Sequence, residues 1–188
     1  MKNKRVKKLT GIAILSAATV ALALISNYLP SIVANLNLAL IPIVIGACIY
    51  GVSAGLFLGI VDGILVCTAP FTLSFFMTHN AFVTIVLCLL KTGLGGALCG
   101  VVYNLLKKKN EYVSVLLSSI TLPIVNTGIF LLGVFLFFIP PYEKIMKEGD
   151  NVISFILYST LTINFLIEFI LNILLSSTIY RVIKLKSK

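Results

Sequence analysis

Long apolar stretches, broken by short polar or basic interruptions, set the layout of this chain. The first runs from about Leu9 to Tyr28 and stops before Pro30. The next two cover about Leu38 to Tyr50, short and carrying Pro42, and about Val52 to Cys67. Beyond the uncharged stretch TAPFTLSFFMTHN lie runs from about Asn80 to Leu106 and from about Tyr112 to Phe138. A last run, about Val152 to Tyr180, follows the charged segment PPYEKIMKEGDN. A membrane-spanning helix needs about 20 apolar residues. The pattern therefore predicts an all-α fold, a six-transmembrane-helix bundle with helices at about 9–28, 38–50, 52–67, 80–106, 112–138 and 152–180. These form a single integral membrane domain, 1–188, with no soluble domain, low-complexity segment or clear inverted repeat.

Within these runs the small residues are ordered. The stretch AILSAATVA places Ala13, Ala17 and Ala21 four apart, and at about 100° per residue such positions share one narrow stripe of a helix. The third run repeats the pattern with Gly51, Gly55, Gly59 and Gly63, and the fourth adds Gly95, Gly96 and Gly100. Lipid gives apolar helices no hydrophobic drive to associate, so association depends on close backbone approach, which small residues permit. The glycine faces read as packing surfaces within the bundle. Helix 1 is small on more than one side, with Ser16, Ala18 and Ala23 off the stripe. One side is then available for its own bundle and another for a partner.

Composition agrees with the membrane reading: 59% of the 188 residues are hydrophobic and mean hydropathy is +1.10. A soluble domain of this size would need far more polar surface. The net charge of +9 raises the possibility of nucleic acid, but its distribution excludes that. Lys2, Lys4, Arg5, Lys7 and Lys8 precede helix 1, Lys107 to Lys109 separate helices 4 and 5, and Arg181, Lys184, Lys186 and Lys188 follow helix 6. With six crossings all fall on one side, which the positive-inside rule makes the cytoplasm. Both termini are then cytoplasmic, in a multi-pass protein of the bacterial plasma membrane whose solvent is the lipid bilayer. The basic start and apolar run also resemble a signal peptide. Its removal would split the basic ends across the membrane, so it reads as a retained helix. Cys48, Cys67, Cys88 and Cys99 stand alone in apolar runs and read as small hydrophobes, with no metal site.

Ionisable groups at membrane depth are functional candidates by default, and there are three: Asp62, Lys91 and Glu168. Lys91 lies about 16 Å along its helix from Asn80, on a face shared with Thr84, Cys88 and Gly95. Asn164, Glu168 and Asn172 fall within an arc of about 80°. Asn126 and Thr127 follow Pro123, which removes a backbone donor. Two readings stay open. Either these groups form a buried network with Lys91 paired to Glu168 or Asp62, or they line a cavity for a solute. Two long, nearly uncharged connections, PSIVANLN and the one ending in His79 and Asn80, would roof such a cavity from outside. The candidate solute contacts are therefore Asn35, Asn37, His79, Asn80, Thr84, Lys91, Asn126, Thr127, Asn164 and Glu168. Phe71, Phe75 and Phe76 read as interfacial anchors or roof. With all three groups ionised, one negative charge is in excess, so a carboxyl is protonated or a cation completes the set.

No P-loop, zincin or nucleophile-elbow motif is present, and VDGI offers one carboxylate where metal-dependent phosphotransfer wants several. The reading is of a protein that is not an enzyme and has no catalytic residues or cofactor. The helix 1 stripe, the Lys-rich inner ends, the long outer connections and the runs LNLALIPIVIGACIYGVSAGLFLGIVDGI and PIVNTGIFLLG together resemble the substrate-binding S component of energy-coupling factor (ECF) transporters. The resemblance covers almost the whole chain. It implies uptake of a water-soluble vitamin or similar micronutrient. It also implies that Ala13, Ala17 and Ala21 dock on an ECF transmembrane scaffold subunit driven by two cytoplasmic ATPase subunits. The nearest branch is the pantothenate-type and unassigned one, with riboflavin next. Lys91 would meet a pantothenate carboxylate, and Asn126 and Asn164 its hydroxyls and amide. The alternative is a stand-alone ion-coupled secondary transporter using Asp62, Lys91 and Glu168 as a proton relay.

Overall fold

The structure is a computed structural model that describes residues 2–27, 37–143, 151, 153–154 and 165–187. Among these residues the order is α1 (Lys2–Asn27), α2 (Leu40–Tyr50), α3 (Val52–Cys67), a π-helical turn (Thr72–Met77), α4 (Thr78–Leu106), α5 (Glu111–Phe137), α6 (Ile139–Glu143) and α7 (Leu166–Ser187), with no strand. α1 begins at Lys2 rather than Leu9, and α7 runs on to Ser187 rather than stopping at Tyr180. Apolarity marks where a helix enters lipid, whereas Lys and Arg are good helix formers, so both helices continue through their basic ends.

Among the described residues four stretches are long and apolar enough to cross a membrane: Lys4–Asn27, Thr72–Leu106, Glu111–Phe137 and Leu166–Lys184. The expected second and third spans are shorter apolar helices of 11 and 16 residues. Their shortness has a packing reason. In α2, Leu40, Ile43, Val44 and Ala47 are fully buried, and they join Leu58, Cys99, Val115, Leu122 and Ile179 in one core cluster. α2 is thus wrapped by α1, α3, α4, α5 and α7. Pro42 is tolerated because it falls in the first turn, where a backbone N–H has no intrahelical partner. Gly51, at φ +92°, turns the chain directly from α2 into α3 in a conformation that side chains disfavour.

The glycine faces meet inside the bundle. A Cβ at Gly55 would strike the backbone of Gly96, one at Gly59 the backbone of Thr92, and one at Gly100 the backbone of Val52. The Thr92 hydroxyl seals this seam, its one proton shared between Gly59 O at 2.6 Å and Cys88 O at 2.9 Å. In α1, Ala13, Ala17 and Ala21 are exposed, whereas Thr19, Ala23 and Ser26 are buried; of the second small cluster only Ala23 is buried, Ser16 and Ala18 being half-buried.

The stretch after α3 corrects the sequence expectation of a loop. Helix resumes at Pro70, runs through the π-helical turn and merges with α4 across a kink at Asn80 (φ −157°, ψ 93°). Asn80 is the start of the regular helix, as the sequence indicated, and its side chain caps it by accepting from Val83 N–H at 3.1 Å. Aromatic packing fixes the preceding turns. Phe76 is buried edge-on against Phe138 at 4.9 Å and Phe130 at 5.5 Å, so it belongs to a core, while Phe71 remains exposed. Tyr142 of α6 closes this second cluster; burial pushes its phenol up to about 12 and keeps it neutral.

Candidate functional site

The buried ionisable groups converge on one residue at the foot of the first connection. The backbone N–H of Asn37 donates to Glu168 Oε1 at 2.7 Å, and its side-chain amide donates to Asp62 Oδ2, also at 2.7 Å. Its own carbonyl oxygen accepts from Ala39 N–H at 3.1 Å and shapes the entry to α2. The neighbouring Leu38 N–H donates to Ser26 Oγ at 3.2 Å. Asn37 therefore ties together α2, α3 and α7, and Leu38 beside it adds α1. The carboxylates it holds are deep, Asp62 at 0% and Glu168 at 7% exposure. One turn further along α7, Asn172 donates its amide to Glu168 O at 2.8 Å.

Lys91 stands beside this node. Gly63 packs against Cys88, Leu89 and Thr92, which puts Asp62 and Lys91 at the same depth on adjacent helices. The Lys91 ammonium lies over the Phe130 ring, 4.9 Å from its centroid, a cation–π contact. Its charge acts on both Asp62 and Glu168, yet among the described residues it forms no ion pair. The pairing of Lys91 with Glu168 or Asp62 is corrected accordingly: a neutral amide holds the carboxylates, and a ring holds the lysine. One turn from Phe130, Asn126 lies beside Gly95 of α4. Asn126 and Thr127 are buried at 6% and 8% exposure.

Buried polar atoms are normally paired. Here Asp62 Oδ1, Asn126 Oδ1 and Asn172 Oδ1 have no partner among the described residues. A fourth such atom, Ser118 Oγ, lies about two turns from Asn126 along α5. The arrangement thus offers, among the described residues, a cation without an ion pair and unpaired acceptors on α3, α5 and α7.

The other candidates are placed as follows. Thr84 is buried and donates to Asn80 O at 2.7 Å. His79 and Asn80 are exposed and locally engaged, His79 Nδ1 lying 2.6 Å from Phe75 O; the structure does not bring them to the Asn37 node. Asn35 and Asn164 lie outside the described residues. Sequence reasoning passed over Ser26 and Thr92, whose hydroxyls bind other helices. A hydroxyl in an apolar run was the only signal for them. It also left Asp62 and Asn172 out of the solute contacts, although the first was noted for its depth and the second for its face.

Cys48, Cys88 and Cys99 are buried free thiols and Cys67 is half-buried. Among the described residues no group of His, Cys, Asp and Glu could hold a metal ion. The family profile described as ECF transporter, substrate-specific component, matches residues 7–180. No curated protein and no solved structure matches the chain.

Proposed function

Because the chain belongs to the ECF transporter substrate-specific component family, a family of transporter subunits and not of enzymes, we propose that it captures a small water-soluble nutrient outside the bacterial plasma membrane. It delivers that nutrient through a scaffold subunit driven by two ATPases. Pantothenate is the first candidate and riboflavin the second. In this reading the chain is one membrane domain with both termini cytoplasmic; PSIVANLN, the expected roof, lies outside the described residues except for Asn37.

One observation carries the reading. α1 separates its two small faces, with Ala13, Ala17 and Ala21 turned outward while polar groups of α3, α4, α5 and α7 turn inward. A smooth exposed ridge permits close approach by a foreign helix. The inward groups supply the convergent polar atoms that a small-molecule site needs. Lys91 is the anchor for an anionic group, with Asn37, Asn126, Thr127 and Glu168 around it.

Uptake in reconstituted vesicles tests this. Accumulation of labelled pantothenate should require scaffold, ATPases and ATP together. Accumulation by the chain alone, driven by an ion gradient, would replace the reading with a secondary transporter that relays protons through Asp62, Lys91 and Glu168.

A further inference from the structure

Among the described residues, the unpaired buried carboxylate and amide atoms of α3, α5 and α7 are all of one kind. Asp62 uses Oδ2 to accept from Asn37 and leaves Oδ1 without a partner at 0% exposure. Asn172 is held by donation to Glu168 O, which fixes its amide so that Oδ1 is the idle atom, at 2% exposure. Asn126 Oδ1 is idle as well. All three are acceptors. Their natural complement is a set of O–H or N–H donors, since an acceptor left bare in a dry interior is strongly unfavourable. Lys91 is the opposite case: its ammonium lies over the Phe130 ring, forms no ion pair among the described residues and has donors to spare.

We propose that Asp62 is a substrate-contact residue whose Oδ1 accepts from a hydroxyl of the solute while Lys91 holds the solute's anionic group. The substrate is therefore a carboxylic acid that also carries hydroxyl donors. This rests on the solute-binding reading above and narrows it, because neither a neutral ring system nor a bare carboxylate satisfies both ends. Asp62 remains an acceptor-only group, and the donors it requires are brought by the ligand rather than by a second lysine. The site then rejects an analogue without those donors, because binding it would trap Asp62 Oδ1 unpaired.

The experiment is calorimetric titration of the full-length chain in detergent, wild type and Asp62→Asn, with three probes. They are pantothenate, its analogue with both hydroxyls replaced by hydrogen, and riboflavin. Asp62→Asn is nearly isosteric and can still accept from Asn37 through its remaining oxygen, which turns an NH2 donor toward the solute. For wild type the expected order is pantothenate bound, and the deoxygenated analogue bound about tenfold or more weakly. In Asp62→Asn pantothenate should fall to the level of the analogue, with the discrimination between them gone. Circular dichroism melting of both proteins checks the fold. Should Asp62→Asn prove unfolded, the wild-type ratio between pantothenate and its analogue still decides. Equal binding of the two by wild type, undiminished discrimination in Asp62→Asn, preference for riboflavin, or no binding of any probe each overturns the inference. Failure of the importer reading shows separately, as vesicle uptake that proceeds without scaffold and ATPases.

Discussion

The side-chain amide of Asn37 donates to Asp62 Oδ2 at 2.7 Å while the adjoining backbone N–H serves Glu168, so one residue at the mouth of α2 holds two buried carboxylates. The consequences differ by substitution. Asn37→Ala removes the donor to Asp62 and the acceptor for Ala39 N–H, and should destabilise the fold by about 1–3 kcal/mol. Asn37→Asp puts a third carboxylate against the other two. At pH 8 it should be the less stable variant, and it should recover toward Asn37→Ala as pH falls to 5, because proton uptake by the cluster relieves the repulsion. Melting temperatures in detergent across that range check both. A flat profile for Asn37→Asp would mean that the node is not charged.

Much of this was legible beforehand, and the reason is visible residue by residue. Asn80 carries a capping side chain and was read as a helix start. Gly55, Gly59 and Gly63 recur at helical spacing and were read as a packing face. Ala13, Ala17 and Ala21 were separated from Ser16, Ala18 and Ala23 by angle alone. What stayed hidden depends on long-range geometry. Asn37 and Glu168 are far apart in the chain, and no periodicity announces that they share a hydrogen bond. The helical character of 70–79 was missed because Phe76 is held by Phe138 and Tyr142, contacts that arise only after α5 folds back.

The α3–α4 seam should be the least forgiving surface in the protein. At Gly55 an added side chain meets the backbone of Gly96, which has nowhere to go. Gly55→Leu should destabilise by about 3 kcal/mol or more by forcing two helices apart. Gly128 is the internal control, since a Cβ there meets nothing within 4 Å. Gly128→Ala should leave stability unchanged or raise it by about 0.5–1 kcal/mol through helix propensity. Unfolding titrations of both variants in mixed micelles measure the contrast.

Lys91 separates binding from folding. Its ammonium lies over the Phe130 ring, and among the described residues no carboxylate depends on it for a hydrogen bond. Lys91→Met keeps an unbranched chain over that ring and removes the charge. Melting temperature should therefore change little, while affinity for pantothenate should drop about tenfold to a hundredfold with loss of a charge-assisted hydrogen bond. Calorimetric titration beside a thermal melt reads both quantities. A large fall in melting temperature with unchanged affinity would assign Lys91 to the scaffold of the bundle.

The exposed ridge of α1 makes the complementary separation. Ala17 is exposed midway between Ala13 and Ala21, and the bundle's own contacts run through Thr19, Ala23 and Ser26 on the other side. A bulky side chain at Ala17 has room in lipid but blocks close approach by a partner helix. Ala17→Leu should therefore leave the melting temperature and pantothenate affinity within about twofold of wild type, because nothing that α1 packs against is disturbed. ATP-dependent uptake should be abolished, and the scaffold subunit should no longer co-purify. Parallel titration, uptake and pull-down on the same preparation decide the matter. If binding falls together with uptake, the alanine stripe supports the site rather than a partner; if uptake survives, docking does not run along this face of α1.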